Sequence, residues 1–170
     1  IAYRCGHDHV SERCGDARLA SRWGGRWESI GFANKMTGTT AVAMVLGRIE
    51  PDQPTLVRMH ALNVLADAFG AEGGRDPDLL KRSIESIARE GAGVIVLIGQ
   101  SSAGAVRAML GGYGRGEAPS DMEHLRDYGF GAQVLAELGI RQMELLTNSH
   151  QTPIALEGYG LTIVGKRALA

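Results

Sequence analysis

Hydrophobic residues mark strands and helices that alternate through the second half of the chain. The segments "TTAVAMVLGRI" (39–49) and "TLVRMH" (55–60) are apolar and rich in β-branched residues, as is typical of strands. The turn between them predicts an early antiparallel hairpin or meander. The apolar run "GVIVLIG" (93–99) predicts a strand that is buried on both faces.

The segment "DPDLLKRSIESIAREGAG" (76–93) predicts the clearest helix. Asp76 or Asp78 can cap its start, and Gly91 can end it. Its apolar positions recur at helical spacing on one face: Leu80, Ile84, Ile87 and Ala88. Shorter helices are expected in "AVRAML" and "PIALEGYG", with a longer one in "FGAQVLAELG".

Strands are further expected in "RQMELLT" and "LTIVGK". This order predicts a mixed α/β fold, with antiparallel strands early and strand–helix alternation late. Residues 1–28 are charged and are interpreted as a linker or junction helix from an upstream domain. Residues 29–170 are interpreted as the domain itself.

Composition narrows the classes of function. The chain has 170 residues, of which 44% are hydrophobic, enough for one compact domain with a core. The net charge of -1 gives no electrostatic footprint for nucleic acid or an anionic membrane. No apolar run is long enough to span a bilayer, so we expect a cytoplasmic protein without nucleic-acid or membrane partners.

The two cysteines, Cys5 and Cys14, are too few for a disulfide framework. With His7 and His9 they form one conceivable set of soft metal ligands. Their spacing matches no zinc pattern, however, and solvated or packed side chains are the favoured interpretation.

Two blocks resemble a known family. "LRDYGFGAQVLAELGIRQMELLTNSH" (125–150) resembles the C-terminal half of GTP cyclohydrolase II, and "LVRMH" followed by "ADAFG" resembles an earlier segment of that family. The resemblance implies a riboflavin-pathway domain that binds GTP and uses a zinc-bound water to open the imidazole ring, releasing formate and pyrophosphate. It also implies a homodimer. The N-terminal "IAYRCGHDHVSERC" (1–14) resembles the junction seen where this domain is fused behind a dihydroxybutanone phosphate synthase, so we expect an upstream synthase in the same chain.

The resemblance places the family's three zinc cysteines, spaced C-x10-C-x-C, at Asn63, Gly74 and Asp76. None of these residues is a thiolate, so we expect no metal and no cofactor. His60 is close in sequence, but one histidine and one aspartate would bind zinc far more weakly than three thiolates.

The resemblance also leaves two catalytic candidates. Arg126 matches the family's proposed nucleophilic arginine, and His124 stands where the family has its catalytic aspartate. An arginine needs a base to attack phosphorus, so a structural Arg126 paired to Asp127 or to a backbone carbonyl is the alternative.

Substrate-binding candidates are Arg58, His60 and Thr147. Arg58 and His60 alternate on a strand and therefore face the same side, lining either a residual pocket or its rim. The family's Glu- and Arg-bearing loop appears here as "GQSSAGAV" (99–106), and Tyr113 lies one position off the family's tyrosine.

These losses predict a catalytically inactive domain with a structural, dimerisation or regulatory role for the fused synthase, with GTP or a flavin nucleotide as a candidate ligand. The alternative is an active GTP hydrolase with an altered mechanism.

Overall fold

The computed structural model describes residues 11–99, 102–114, 121–150 and 154–169, except for the side chains of 121–126, 154–155 and 157. The elements in chain order are β1 (Ser11–Ala20), β2 (Arg26–Asn34), β3 (Thr40–Leu46), β4 (Thr55–Ala61), α1 (Val64–Asp67), α2 (Leu79–Glu90), β5 (Gly93–Ile98), α3 (Ala103–Gly111), α4 (Asp121–Glu137), β6 (Gln142–Leu146), a 3-10 helix (Ile154–Tyr159) and β7 (Thr162–Arg167). Within these ranges, no helix is long and apolar enough to cross a membrane.

The described strands form one seven-stranded mixed sheet in the order β1-β2-β3-β5-β4-β6-β7. The first four in this order pair antiparallel, and β5, β4, β6 and β7 pair parallel. The expected α/β fold, with antiparallel strands early and strand–helix alternation late, is confirmed. The expected hairpin between β3 and β4 is wrong, because β5 lies between them and pairs with both.

The structure corrects the expected junction helix over residues 1–28. Residues 11–20 form β1, which pairs with β2 so that Leu19 lies opposite Trp27. The expected domain boundary at 28/29 falls inside β2, and residues 1–10 lie outside the described part. All β1 side chains except that of Ser11 are exposed, so β1 lacks the alternation that marks a half-buried strand.

Two helices cover opposite faces of the sheet. The larger core lies between α4 and the central strands, where Leu135 of α4 joins Val57 of β4 and Val96 of β5. The smaller core lies under α2 and includes Leu56, Ile87 and Ile95. Because β5 contributes to both cores, its continuous apolar run fits its central position.

Gly131 lets α4 approach β4 closely. A Cβ at this position would overlap Met59 Cε and would lie 3.2 Å from Met59 Sδ and 3.3 Å from Ile98 Cδ1. Since Met59 faces α4, its neighbours Arg58 and His60 project toward the opposite, α2-covered face. The packing of α4 therefore helps to fix which side of the sheet receives these two polar residues.

Candidate functional site

Arg58 and His60 lie near the carboxyl end of β4, beside the carboxyl end of the parallel strand β6. Arg58 Nη1 donates a hydrogen bond of 3.1 Å to the carbonyl oxygen of Leu146, the last residue of β6. Thr147 follows directly. The fold therefore brings the three substrate-binding candidates of the sequence to one edge of the parallel half of the sheet.

His60 is a buried residue and does not lie on a pocket rim. Only 1% of its surface is exposed, and its Nε2 lies 2.9 Å from Asp67 Oδ2. Because an ionised carboxylate can only accept, Nε2 carries the proton of this hydrogen bond. The other ring nitrogen, Nδ1, is buried and has no hydrogen-bond partner among the described residues.

Asp67 connects His60 to the start of α1. The backbone N–H of Asn63 donates to Asp67 Oδ2 at 2.8 Å. Burial alone would raise the pKa of Asp67, but the hydrogen bonds from His60 and Asn63 and the positive charge of Arg75 outweigh it, so this pKa lies below its ordinary value of 3.8. Asp67 is not among the site residues that the sequence predicted.

Arg58 is partly buried, and burial is the main reason that the pKa of its guanidinium lies below the ordinary value. Desolvation lowers the pKa of its guanidinium, Tyr128 and Asp67 oppose this, and the charge of Arg75 adds to it. Arg75 also donates from Nη1 to the carbonyl oxygen of Ala61. The sequence interpretation missed Arg75, although its place between two former ligand positions, Gly74 and Asp76, was a usable signal.

Thr147 takes part in backbone hydrogen bonds, and the two catalytic candidates, His124 and Arg126, lie on α4. Thr147 Oγ1 accepts from the backbone N–H of Ser149 at 3.0 Å, and the Thr147 N–H donates to the Arg167 carbonyl at 2.8 Å. The backbones of His124 and Arg126 belong to α4, but their side chains lie outside the described residues.

A cavity of about 290 Å³ lies next to this cluster, on the α2 side. Trp23, Asp67, Phe69 and Lys81 contribute to its walls, and Phe69 is 80% exposed. Asp78 also lines the cavity, which thus combines aromatic faces with two carboxylates and one ammonium group, a mixture suited to a small planar, polar molecule.

Comparison with known proteins identifies the family. A sequence profile of the family described as GTP cyclohydrolase II matches residues 12–168. The chain belongs to the GTP cyclohydrolase II family. It is 35% identical over 176 residues to the riboflavin biosynthesis protein RibBA of Aquifex aeolicus (strain VF5), covering 96% of this chain and 43% of that protein.

Another member of the family matches a similar share of the chain at similar sequence identity. The monofunctional riboflavin biosynthesis protein RIBA 3, chloroplastic, of Arabidopsis thaliana is 33% identical over 178 residues, covering 98% of this chain and 35% of that protein. The chain therefore spans less than half the length of these relatives.

One solved structure shares the fold of this GTP cyclohydrolase II family member. It is described as RibBX, a two-domain 3,4-dihydroxy-2-butanone 4-phosphate synthase from A. baumannii. The two superpose with a TM-score of 0.59 at 24% sequence identity, over 99% of this chain and 43% of that one.

Asn63, the first of the three positions that the resemblance assigns to zinc ligands, caps a helix. The side-chain oxygen of Asn63 accepts from the backbone N–H groups of Leu65 and Ala66, both at 3.1 Å, at the start of α1. Its only good metal donor atom, the amide oxygen, is therefore already engaged by the backbone.

The second position has no side chain and no room for one. A Cβ on Gly74 would lie 2.5 Å from Cε1 and 2.8 Å from Cζ of Tyr113. The third position, Asp76, pairs through Oδ2 with Arg82 and accepts the Asp78 N–H through Oδ1 at 2.9 Å. The donor set and the available space therefore do not fit the family's zinc.

No alternative cluster replaces it within the described ranges. They contain no group of three or more histidine, cysteine, aspartate or glutamate residues that could hold an ion. Cys14 is an exposed free cysteine on β1, and its sequence neighbours Cys5, His7 and His9 lie outside those ranges.

Replacement of Asn63 by alanine tests its present role as a helix cap. We expect Asn63→Ala to lower the free energy of unfolding by about 1 kcal/mol, because two backbone N–H groups lose their acceptor. Urea denaturation measures the loss. Asn63→Ser keeps an acceptor oxygen and should retain most of the stability; equal losses in both variants would show that capping is not what Asn63 contributes.

Proposed function

We propose that this chain is a GTP cyclohydrolase II-like domain of riboflavin biosynthesis that does not catalyse ring opening. The observation that carries the proposal is the present use of the three family ligand positions. One caps a helix, one has no side chain and faces Tyr113, and one pairs with an arginine. Ring opening needs a water activated near neutral pH, and these residues supply no means of activating it.

The domain then serves a 3,4-dihydroxy-2-butanone 4-phosphate synthase, in the same polypeptide or as a partner. Two findings support this part of the proposal. The relatives are more than twice as long as the segment they share with this chain, and the RibBX structure with the same fold is described as a two-domain synthase. Its role is structural or regulatory, and the working form is a cytoplasmic homodimer.

The decisive experiment measures zinc and turnover together. Purified chain is analysed for zinc by mass spectrometry, then incubated with GTP and assayed for formate. We expect zinc well below one ion per chain and no formate above a protein-free blank, while an active family member under identical conditions releases formate. Stoichiometric zinc together with turnover would establish the alternative, an active hydrolase.

A second measurement separates a regulatory role from a purely structural one. The thermal unfolding midpoint is compared with GTP, ATP or a flavin nucleotide, without added metal. A ligand that binds only the folded state raises this midpoint. An increase with GTP or flavin but not ATP supports nucleotide regulation, and an increase lost in Arg58→Ala would assign it to the candidate site. No increase with any of them supports a structural role.

A further inference from the structure

We propose that the ring of Tyr113 has replaced the second metal ligand, so that steric exclusion, in addition to the missing thiolates, keeps an ion out of this loop. This inference deepens the proposed function and rests on it. It predicts that cysteines at all three family positions bind a metal ion more weakly while the aromatic ring remains than after the ring is removed.

The obstacle at position 74 is the ring and not the backbone. Gly74 does not have the positive φ that only glycine adopts easily, so its backbone accepts a side chain. The three atoms nearest to the position of a Cβ all belong to the ring: Cε1, Cζ and Cδ1 of Tyr113 lie 2.5, 2.8 and 3.0 Å away. A cysteine there must displace Tyr113 before its sulfur can reach any ion.

Tyr113 is held through its shape and its backbone. It follows the end of α3, and its N–H donates to the Leu110 carbonyl at 3.1 Å. Its hydroxyl oxygen is buried without a hydrogen-bond partner among the described residues. The ring, rather than the hydroxyl, therefore carries the interaction, and phenylalanine should act as tyrosine does.

The other two positions present no comparable obstacle. Asn63 is partly exposed, and Asp76 is exposed. Cysteine is no larger than either residue, so thiolates at these positions need no repacking. With cysteines at all three positions, the Tyr113 ring beside Gly74 would still be a steric barrier, because all three sulfur atoms must reach the same ion.

The test compares cobalt binding in matched variants. Cys5→Ser and Cys14→Ser are introduced throughout, so that only the new thiolates bind. Asn63→Cys, Gly74→Cys and Asp76→Cys are then combined with Tyr113, Tyr113→Phe or Tyr113→Ala. Each protein is titrated anaerobically with Co²⁺, and binding is followed by the thiolate-to-cobalt absorption, with zinc displacement as a second readout.

We expect the alanine background to bind Co²⁺ about tenfold to a hundredfold more tightly than the tyrosine and phenylalanine backgrounds, the ratio expected from relieving one overpacked contact. Circular dichroism confirms that each variant is folded, and Tyr113→Leu serves as a second ring-free variant if the alanine protein is not.

Equal binding in all backgrounds would overturn the proposal, and so would the absence of binding in every folded variant, because another feature would then exclude the ion. Failure of the proposed function has a different signature: zinc and formate release in the unmodified chain. That result does not alter the cobalt comparison among the variants.

Discussion

Gly131→Ala is expected to lower the free energy of unfolding relative to Gly129→Ala by about 1–3 kcal/mol, the usual cost of overpacking a core. The new methyl group would meet Met59 and Ile98 at the contact between α4 and β4. The movement of α4 or of Met59 that relieves this contact would also disturb β4 beside Arg58 and His60. Urea denaturation of both variants at one pH measures the difference.

Gly129 is a matched control on the same helix. Among the side chains that the structure describes, a Cβ there would meet the Tyr159 hydroxyl alone, at an ordinary 3.8 Å. Gly129→Ala therefore keeps the gain of up to about 1 kcal/mol that alanine brings to a helix interior. If both variants gained stability equally, the close approach of α4 to β4 would not depend on the missing side chain.

The elements that the sequence predicted are those with a clear local signal, either apolar residues at helical spacing or an unbroken apolar run. The helix α2 has one apolar face and ends at Gly91, whose φ of 84° suits glycine, and β5 is a continuous apolar run. β1 was missed because its pairing with β2, and not its own burial pattern, makes it a strand. The place of β5 between β3 and β4 was also missed, since strand order depends on the crossover through α2.

The candidate site was predictable only where local rules apply. Arg58 and His60 share a face because strand side chains alternate, and Thr147 joins them because β4 and β6 are parallel neighbours. The hydrogen bond between His60 and Asp67 depends on how the chain turns after β4. The spacing of apolar residues does not predict that turn. Tyr113 and Gly74 are distant in sequence and meet only in the folded chain. The resemblance to the family could therefore show that Gly74 stands at a ligand position, but it could not show that the Tyr113 ring lies beside it.

Asp67→Ala is expected to lower the free energy of unfolding at pH 7 by about 2–3 kcal/mol, the cost of leaving buried hydrogen-bonding groups without partners. His60 Nε2–H and the Asn63 N–H would both lose their acceptor. Asp78→Ala is the control, because Asp78 is exposed and its side chain makes no capping hydrogen bond to α2. Its loss should be within about 0.5 kcal/mol.

The same carboxylate gives this loss a defined pH dependence. Since folding lowers the pKa of Asp67 below its ordinary 3.8, the ionised group stabilises the fold fully above that pH. The contribution disappears as the pH falls through the lowered, folded-state value, because the unfolded chain then takes up the proton more readily. Asp67→Asn removes the titration while retaining the shape of the side chain. The stability gap between the unmodified chain and Asp67→Asn, measured by urea denaturation at a series of pH values, should be constant near neutrality and shrink below pH 3.8. A gap that widened in acid would show that Asp67 is not the stabilising anion beside His60.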